Sequence, residues 1–258
     1  MQIDLSRFET RIAQNKAEIT ASQALRYRVF VEEMGADTVN ADHESRLEVD
    51  QWDDVFDHLL LIDHEKGGEI VGVYRLLRRN VAEQGPGFYS DDEYDLSRLA
   101  DWPGEILELG RSCVAPEYRG GMALQMLWDG LADYVLEHEI SLLFGVASFP
   151  GTDVDALAQP LANLHYNHAA PEALRVPARP AQRLEMDRVA KDQLDRAAAL
   201  RATPSLIKSY LRLGGVVGDG AWIDHDFNTT DVCILVETGP MKDRYLKSRE
   251  ARAKRGAA

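Results

Sequence analysis

Residues Ile106 to Leu127 read ILELGRSCVAPEYRGGMALQML, and the fold turns on how this stretch is divided. Ile106 to Val114 is rich in apolar and small residues and reads as a buried strand. Pro116 ends it, and a short loop, Glu117-Tyr118-Arg119-Gly120-Gly121, follows. From Met122 a helical period begins. A strand, a glycine loop and a helix start together present free backbone N–H groups to an anion. Gly120 and Gly121 allow a tight turn and a close approach to a ligand. Arg119 adds a fixed charge able to bind phosphate bidentately. A plain βα turn is the competing reading. The spacing is neither G-x-G-x-x-G nor a Walker loop.

The bulk numbers narrow the classes. With 258 residues the chain has room for one large domain or two small ones. A net charge of −14 argues against nucleic acid as a partner. Two cysteines, Cys113 and Cys233, lie in apolar runs and are expected to be buried, reduced thiols. No apolar run approaches the ~20 residues of a membrane span, and the N-terminus lacks a signal-peptide core. The expected compartment is the cytoplasm.

Working outward, Phe8 to Ala13 suggests a first strand and Ala21 to Met34 a helix stopped at Gly35. Ala36 to Asp54 is an acidic loop. Val55 to Asp63 and Glu69 to Leu77 form a hairpin around Lys66-Gly67-Gly68. Residues 80 to 104 read as loop. Met122 to His138 is a helix with Leu124, Leu127, Leu131 and Val135 on one face, and Ser141 to Phe149 is a second buried strand. A Pro-Gly turn within Ser148 to Asp153 follows, with Asp153 placed to cap a helix. The proline-punctuated stretch 171 to 180 marks a boundary, Thr203-Pro204 opens another helix, and Val232 to Val236 is a last strand. From 241 to 258 the charge reverses: Lys242, Arg244, Lys247, Arg249, Arg252, Lys254 and Arg255 face only Asp243 and Glu250.

Several of these stretches resemble a known family. The loop is similar to the pyrophosphate loop of GNAT acyltransferases, Arg-Gly-x-Gly-x-Gly/Ala, but Arg119-Gly120-Gly121-Met122-Ala123 is one residue shorter. That short form, preceded by Glu108 to Val114, resembles the ornithine–acyl-carrier-protein N-acyltransferases of ornithine-lipid synthesis, as do Ser148 to Asp153, Leu206 to Gly214 and Phe227 to Val232. Arg26-x-x-x-Phe30, Trp52-x-Asp54-x-Phe56-Asp57, Gly72-x-x-Arg75-Leu76 and Glu108-x-x-Arg111 resemble acyl-homoserine lactone synthases, which usually carry an acidic residue at the Trp52 position. The resemblance runs from about Leu25 to Tyr245. It implies an α/β (α+β) fold with a GNAT-like mixed central sheet flanked by helices. Residues 1–170 would be the acyltransferase core and 171–258 a C-terminal extension packed on it. The implied reaction moves a (3-hydroxy)fatty acyl group from acyl carrier protein to the α-amino group of L-ornithine. The donor is an acyl-phosphopantetheine, with no permanently bound cofactor and no metal. An acyl-homoserine-lactone-synthase-like enzyme and an acyl-CoA-dependent GNAT enzyme are the alternatives.

N-acylation requires a deprotonated amine, a polarised thioester carbonyl and an in-line arrangement. Glu108, mid-strand before the loop, is the expected base, and Arg111 is expected to pair with it and keep it oriented. A backbone N–H near Cys113 or Val114, freed where strands splay, is the simplest oxyanion donor. Arg119, Gly120, Gly121, Met122 and Ala123 would hold the phosphopantetheine phosphate. Asp54 and Asp57 are expected to hold the substrate's side-chain ammonium, and the resemblance carries over Arg26 and Arg75 as substrate-binding. His225 is a further candidate contact. Alternation along a strand keeps Asp224 and Asp226 from sharing a metal with it. No G-x-S-x-G elbow supports a serine hydrolase. The basic tail suits either an acidic carrier protein or peripheral contact with an anionic membrane.

Overall fold

The structure, a computed structural model, describes residues 5–120, 122–240, 242 and 245. In chain order the elements are β1 (Phe8–Ile12), α1 (Lys16–Arg26), β2 (Ala41–Asp42), β3 (Leu47–Glu48), β4 (Asp57–Asp63), β5 (Glu69–Arg78), α2 (Arg79–Ala82) and β6 (Glu105–Val114). Then come α3 (Ala123–Glu137), β7 (Ile140–Pro150), α4 (Ala158–His168), β8 (Arg183–Leu184), α5 (Arg196–Ala202), α6 (Ser205–Arg212), β9 (Val216–Val217), β10 (Ala221–Asp224) and β11 (Thr229–Glu237). Helix α1 begins earlier than the apolar spacing suggests. The Asn15 side chain accepts the Glu18 N–H, and the Glu18 carboxylate accepts the Gln14 N–H in return. The helix runs on as a π-helical segment, Tyr27–Glu33, and stops at Gly35, as expected.

The main sheet has the order β1-β4-β5-β6-β7-β11-β10-β8, with β9 also on β11. Every pair is antiparallel except β6–β7, which α3 connects. This is the mixed sheet flanked by helices that the resemblance implied. Leu127, Leu131 and Val135 of α3 bury one side of that helix against the sheet, together with Leu25 of α1. The other face is covered by irregular chain: Tyr94, Leu96, Leu99, Leu174 and Val176 pack on Ile106, Leu142, Phe144 and Leu235. Strand β11 pairs with β7 from Thr229↔Pro150 to Glu237↔Leu142, so residues beyond 171 belong to the same sheet. Among the described residues no helix is long and apolar enough to cross a membrane.

What positions the site is where β6 and β7 part. They pair only from Glu105↔Ile140 to Glu108↔Phe144. Beyond that, β6 stays with β5 as far as Val114↔Gly72, while β7 stays with β11. Two local features accompany the separation. Gly145 has φ 152°, and a Cβ there would lie 2.2 Å from the Leu109 carbonyl oxygen. Next along β6, the register against β5 slips between Val73↔Cys113 and Arg75↔Gly110, so Arg111 and Ser112 together oppose Tyr74. This is a β-bulge, and Arg111 takes φ 48° within it.

Gly145→Ala is expected to lower the urea unfolding midpoint, at a loss of about 1–3 kcal/mol, because the added methyl meets backbone rather than a movable side chain. A midpoint matching that of the unsubstituted protein would show that the two strands have room to shift.

Candidate active site

A cavity of about 410 Å³ occupies the gap between β6 and β7, within the usual size of a small-molecule site. Every residue of β6 from Glu108 to Val114 lines it. Neighbouring residues on a strand point to opposite faces. A cavity touching all of them therefore runs along the open edge of the strand.

Glu108 sits in this gap, 1 % exposed. Its carboxylate accepts the backbone N–H groups of Tyr89 (2.8 Å) and Ser90 (2.6 Å), from the turn Tyr89–Asp92. Burial raises its pKa, and the hydrogen bonds from Ser90 and Tyr89 oppose but do not cancel that rise. The carboxylate is thus fixed in direction yet inclined to accept a proton.

Arg111 is not its partner. The bulge sends this side chain the other way, where Nε donates to Glu48 (3.1 Å) and Nη2 to Asp50 (3.3 Å). The guanidinium lies against the rings of Tyr89 and Phe227, 4.7 and 4.5 Å from their centroids. Backbone amides, rather than an arginine, orient the candidate base.

Glu48 and Asp50 belong to a buried ion network. Arg26 donates to Glu48 and, with both terminal nitrogens, to Asp53; Arg75 donates to Asp50 (2.6 Å) and Asp53 (2.9 Å). Arg75 also lies 4.6 Å from the Phe56 ring centroid. Three arginines thus meet three carboxylates. Burial pushes Asp53 and Asp50 up, but Arg26 and Arg75 respectively outweigh it and hold both below the usual range. Arg26 and Arg75 are fully buried and absent from the cavity lining, so the substrate contact expected of them is not available. Both lie behind the cavity wall, where they hold the loop 48–53.

The remaining expected residues divide. Cys113, Val114, Arg119 and Gly120 line the cavity. The Cys113 thiol, raised to about 12 by burial, is no nucleophile. Gly120 takes φ +72°, the left-handed conformation that favours glycine. Ala123 is buried at the start of α3 and Met122 is exposed beside it. Gly121 lies outside the described residues, as does the basic tail apart from Lys242 and Tyr245. Arg119 pairs with Glu33 and donates to the Val114 carbonyl. The structure does not bring Asp54, Asp57 or His225 to the cavity. Asp54 and His225 are exposed, and Asp57 accepts the Tyr134 hydroxyl (2.5 Å). Tyr89, Asp224, Phe227 and Asp231 line it instead.

The comparisons with known proteins place the chain among the acyltransferases of the GNAT type. Residues 25–129 match the family model of the acetyltransferase (GNAT) domain. The L-ornithine N(alpha)-acyltransferase of Rhodobacter capsulatus is 57% identical over 242 residues, spanning 92% of this chain and 93% of that protein. Its namesake from Rhizobium meliloti is 44% identical over 248 residues, spanning 94% and 84%. This chain belongs to the L-ornithine N(alpha)-acyltransferase family and is an acyltransferase. Its fold is similar to that of the CoA-dependent acyl-homoserine lactone synthase BjaI (TM-score 0.52, 16% identity, 94% of this chain and 88% of that one). It is also similar to FeeM, an N-acyl amino acid synthase from uncultured soil microbes (TM-score 0.50, 13% identity, 90% and 91%).

Asp53→Asn leaves three buried arginines facing two carboxylates, and is expected to cost about 3–5 kcal/mol in chemical unfolding. The pH dependence has a definite sign. Asp50 and Asp53 have folded pKa values below their unfolded ones. Their contribution is complete above the ordinary carboxylate range and is lost as pH falls through it and below. The variant should therefore lose less stability than the parent between pH 7 and pH 3, read by circular dichroism. Parallel acid profiles would remove Asp53 from that role.

Proposed function

We propose that the chain transfers a (3-hydroxy)fatty acyl group from the thioester of acyl carrier protein to the α-amino group of L-ornithine, forming a lyso-ornithine lipid. The observation that carries this reading is Glu108, buried and held by two amides in the gap between β6 and β7. Donor and acceptor then meet beside this carboxylate.

On the donor side, Val29, Phe30, Leu124 and Leu206 give an apolar wall for an acyl chain. Helix α3 starts with no side-chain cap and no acidic residue in its first turn, leaving its amide end open to a phosphate beside Gly120. Arg119 exchanges its exposed partner Glu33 for that phosphate. On the acceptor side, an α-ammonium (pKa ~8) loses its proton more readily than a side-chain ammonium (~10.4). Glu108 takes that proton, directly or through one water. The nitrogen attacks the thioester carbon, a backbone N–H of the bulge steadies the oxyanion, and the C–S bond breaks. The phosphopantetheine thiolate leaves and takes up a proton. No acyl-enzyme and no bound cofactor enters. The seven basic and two acidic residues of 241–258 suit the acidic carrier or the anionic membrane surface that receives the product.

Glu108→Gln is expected to keep the circular dichroism spectrum and reduce turnover by about 10² to 10⁴. Near-native turnover in a folded variant would move the base elsewhere.

The donor is tested separately. The same acyl group offered on carrier protein and on coenzyme A should give a higher kcat/KM on carrier protein. Arg119→Ala should raise KM for the acyl carrier protein while leaving that for ornithine unchanged. An effect confined to ornithine would overturn the assignment of Arg119 to the donor.

A further inference from the structure

Beyond Glu108, the cavity ends at a second group of acids. Asp224 closes β10 and Asp231 lies on the neighbouring strand β11. The register Asp224↔Thr229 puts Asp231, two residues along, on the same face as Asp224. Both line the cavity. Glu93 reaches them from the chain just after the turn that holds Glu108. One carboxylate oxygen from each of the three lies within 4.8 Å of the others.

This group differs from the ion network in being uncompensated. Glu93 and Asp231 are 5 % and 4 % exposed, and Glu93 Oε2 and Asp231 Oδ1 have no hydrogen-bond partner. Asp224 accepts the Phe227 N–H (2.9 Å). Among the described residues none of the three pairs with a lysine or arginine. Arg111, the cation whose charge Glu93 and Asp231 feel, gives its hydrogen bonds to Glu48 and Asp50. Burial, and then the charge of the other acids, raises the pKa of both Glu93 and Asp231, so the site takes up a positive charge readily.

We propose that Glu93, Asp224 and Asp231 form the seat of the acceptor's side-chain ammonium and select an acceptor carrying a primary alkylammonium. An ammonium offers three donors and no acceptor, matching three carboxylates. Its alkyl stem lies along Phe227 and Tyr89, which line the adjoining cavity. The α-nitrogen then faces Glu108 in the same cavity. This inference rests on the ornithine reading above, and it assigns to these three acids the part expected of Asp54 and Asp57.

The test compares L-ornithine with L-norvaline, which has the same carbon skeleton without the side-chain amine. The unsubstituted protein should strongly prefer ornithine. Asp231→Asn, Asp224→Asn and Glu93→Gln, checked for folding by thermal melting, should each lower the ornithine-to-norvaline ratio of kcat/KM by about 10-fold or more, mainly through KM for ornithine. An equal loss on both amino acids would overturn the proposal, as would an unchanged ratio. A divalent cation is the competing occupant: activity lost to EDTA and restored by Mg²⁺ or Ca²⁺ would also overturn it. Failure of the unsubstituted protein to acylate ornithine would refute the acceptor reading itself, a result distinct from any of these.

Discussion

The site exists because two parallel strands stop pairing after Glu108 and Phe144. A strand that leaves its neighbour exposes backbone donors and acceptors that need partners. Here each strand keeps a partner on its far side, β5 for β6 and β11 for β7, so the sheet stays whole around an opening in its middle. Gly145 admits the Leu109 carbonyl at the fork, and the bulge at Arg111 turns the next residues of β6. Glu108, the bulge and the glycine loop are all placed by that one departure, since they lie on β6 or directly beyond it.

Two buried acidic groups lie near the opening and are treated in opposite ways. Glu48, Asp50 and Asp53 face three arginines and have no charge left to offer. Glu93, Asp224 and Asp231 face no paired cation among the described residues. A buried pair contributes little net stability, but removing one member is expensive. The first group therefore acts as a brace for the loop 48–53. The second stays responsive to whatever enters. Arg111 stands between them and, clasped by Tyr89 and Phe227, forms part of the wall.

The sequence made the hairpin, the strand-loop-helix unit and Glu108 legible because each has a local signal: Gly67-Gly68, the apolar run before Pro116, and a lone acid inside that run. Arg26 and Arg75 were legible as special but not as buried, although Arg75 sits between Tyr74 and Leu76 in a run apolar on both faces. In the acidic loop, Asp50 and Asp53 turn inward and Asp54 outward, and an irregular segment has no period to tell them apart. The segment from Phe88 to Tyr94 gave no signal. It delivers the amides for Glu108, the ring over Arg111 and the Glu93 carboxylate, all through contacts distant in sequence. Asp224 stood beside the more conspicuous His225, and only the pairing of β10 with β11 brings it to Asp231.

The ion network also has a direction in time. Its members emerge in the order Arg26, Glu48, Asp50, Asp53, Arg75 and Arg111. A chain made from its N-terminus has all three acids before two of the three arginines. At about 5–20 residues per second, the 58 residues from Asp53 to Arg111 take roughly 3–12 seconds to synthesise. During that interval Arg26 has Glu48 and Asp53 to pair with, but Asp50 waits for Arg75 and Arg111, so the loop carries acid in excess. The last arginine lies on β6, the strand that also carries Glu108. The brace is therefore completed only when β6 has been made.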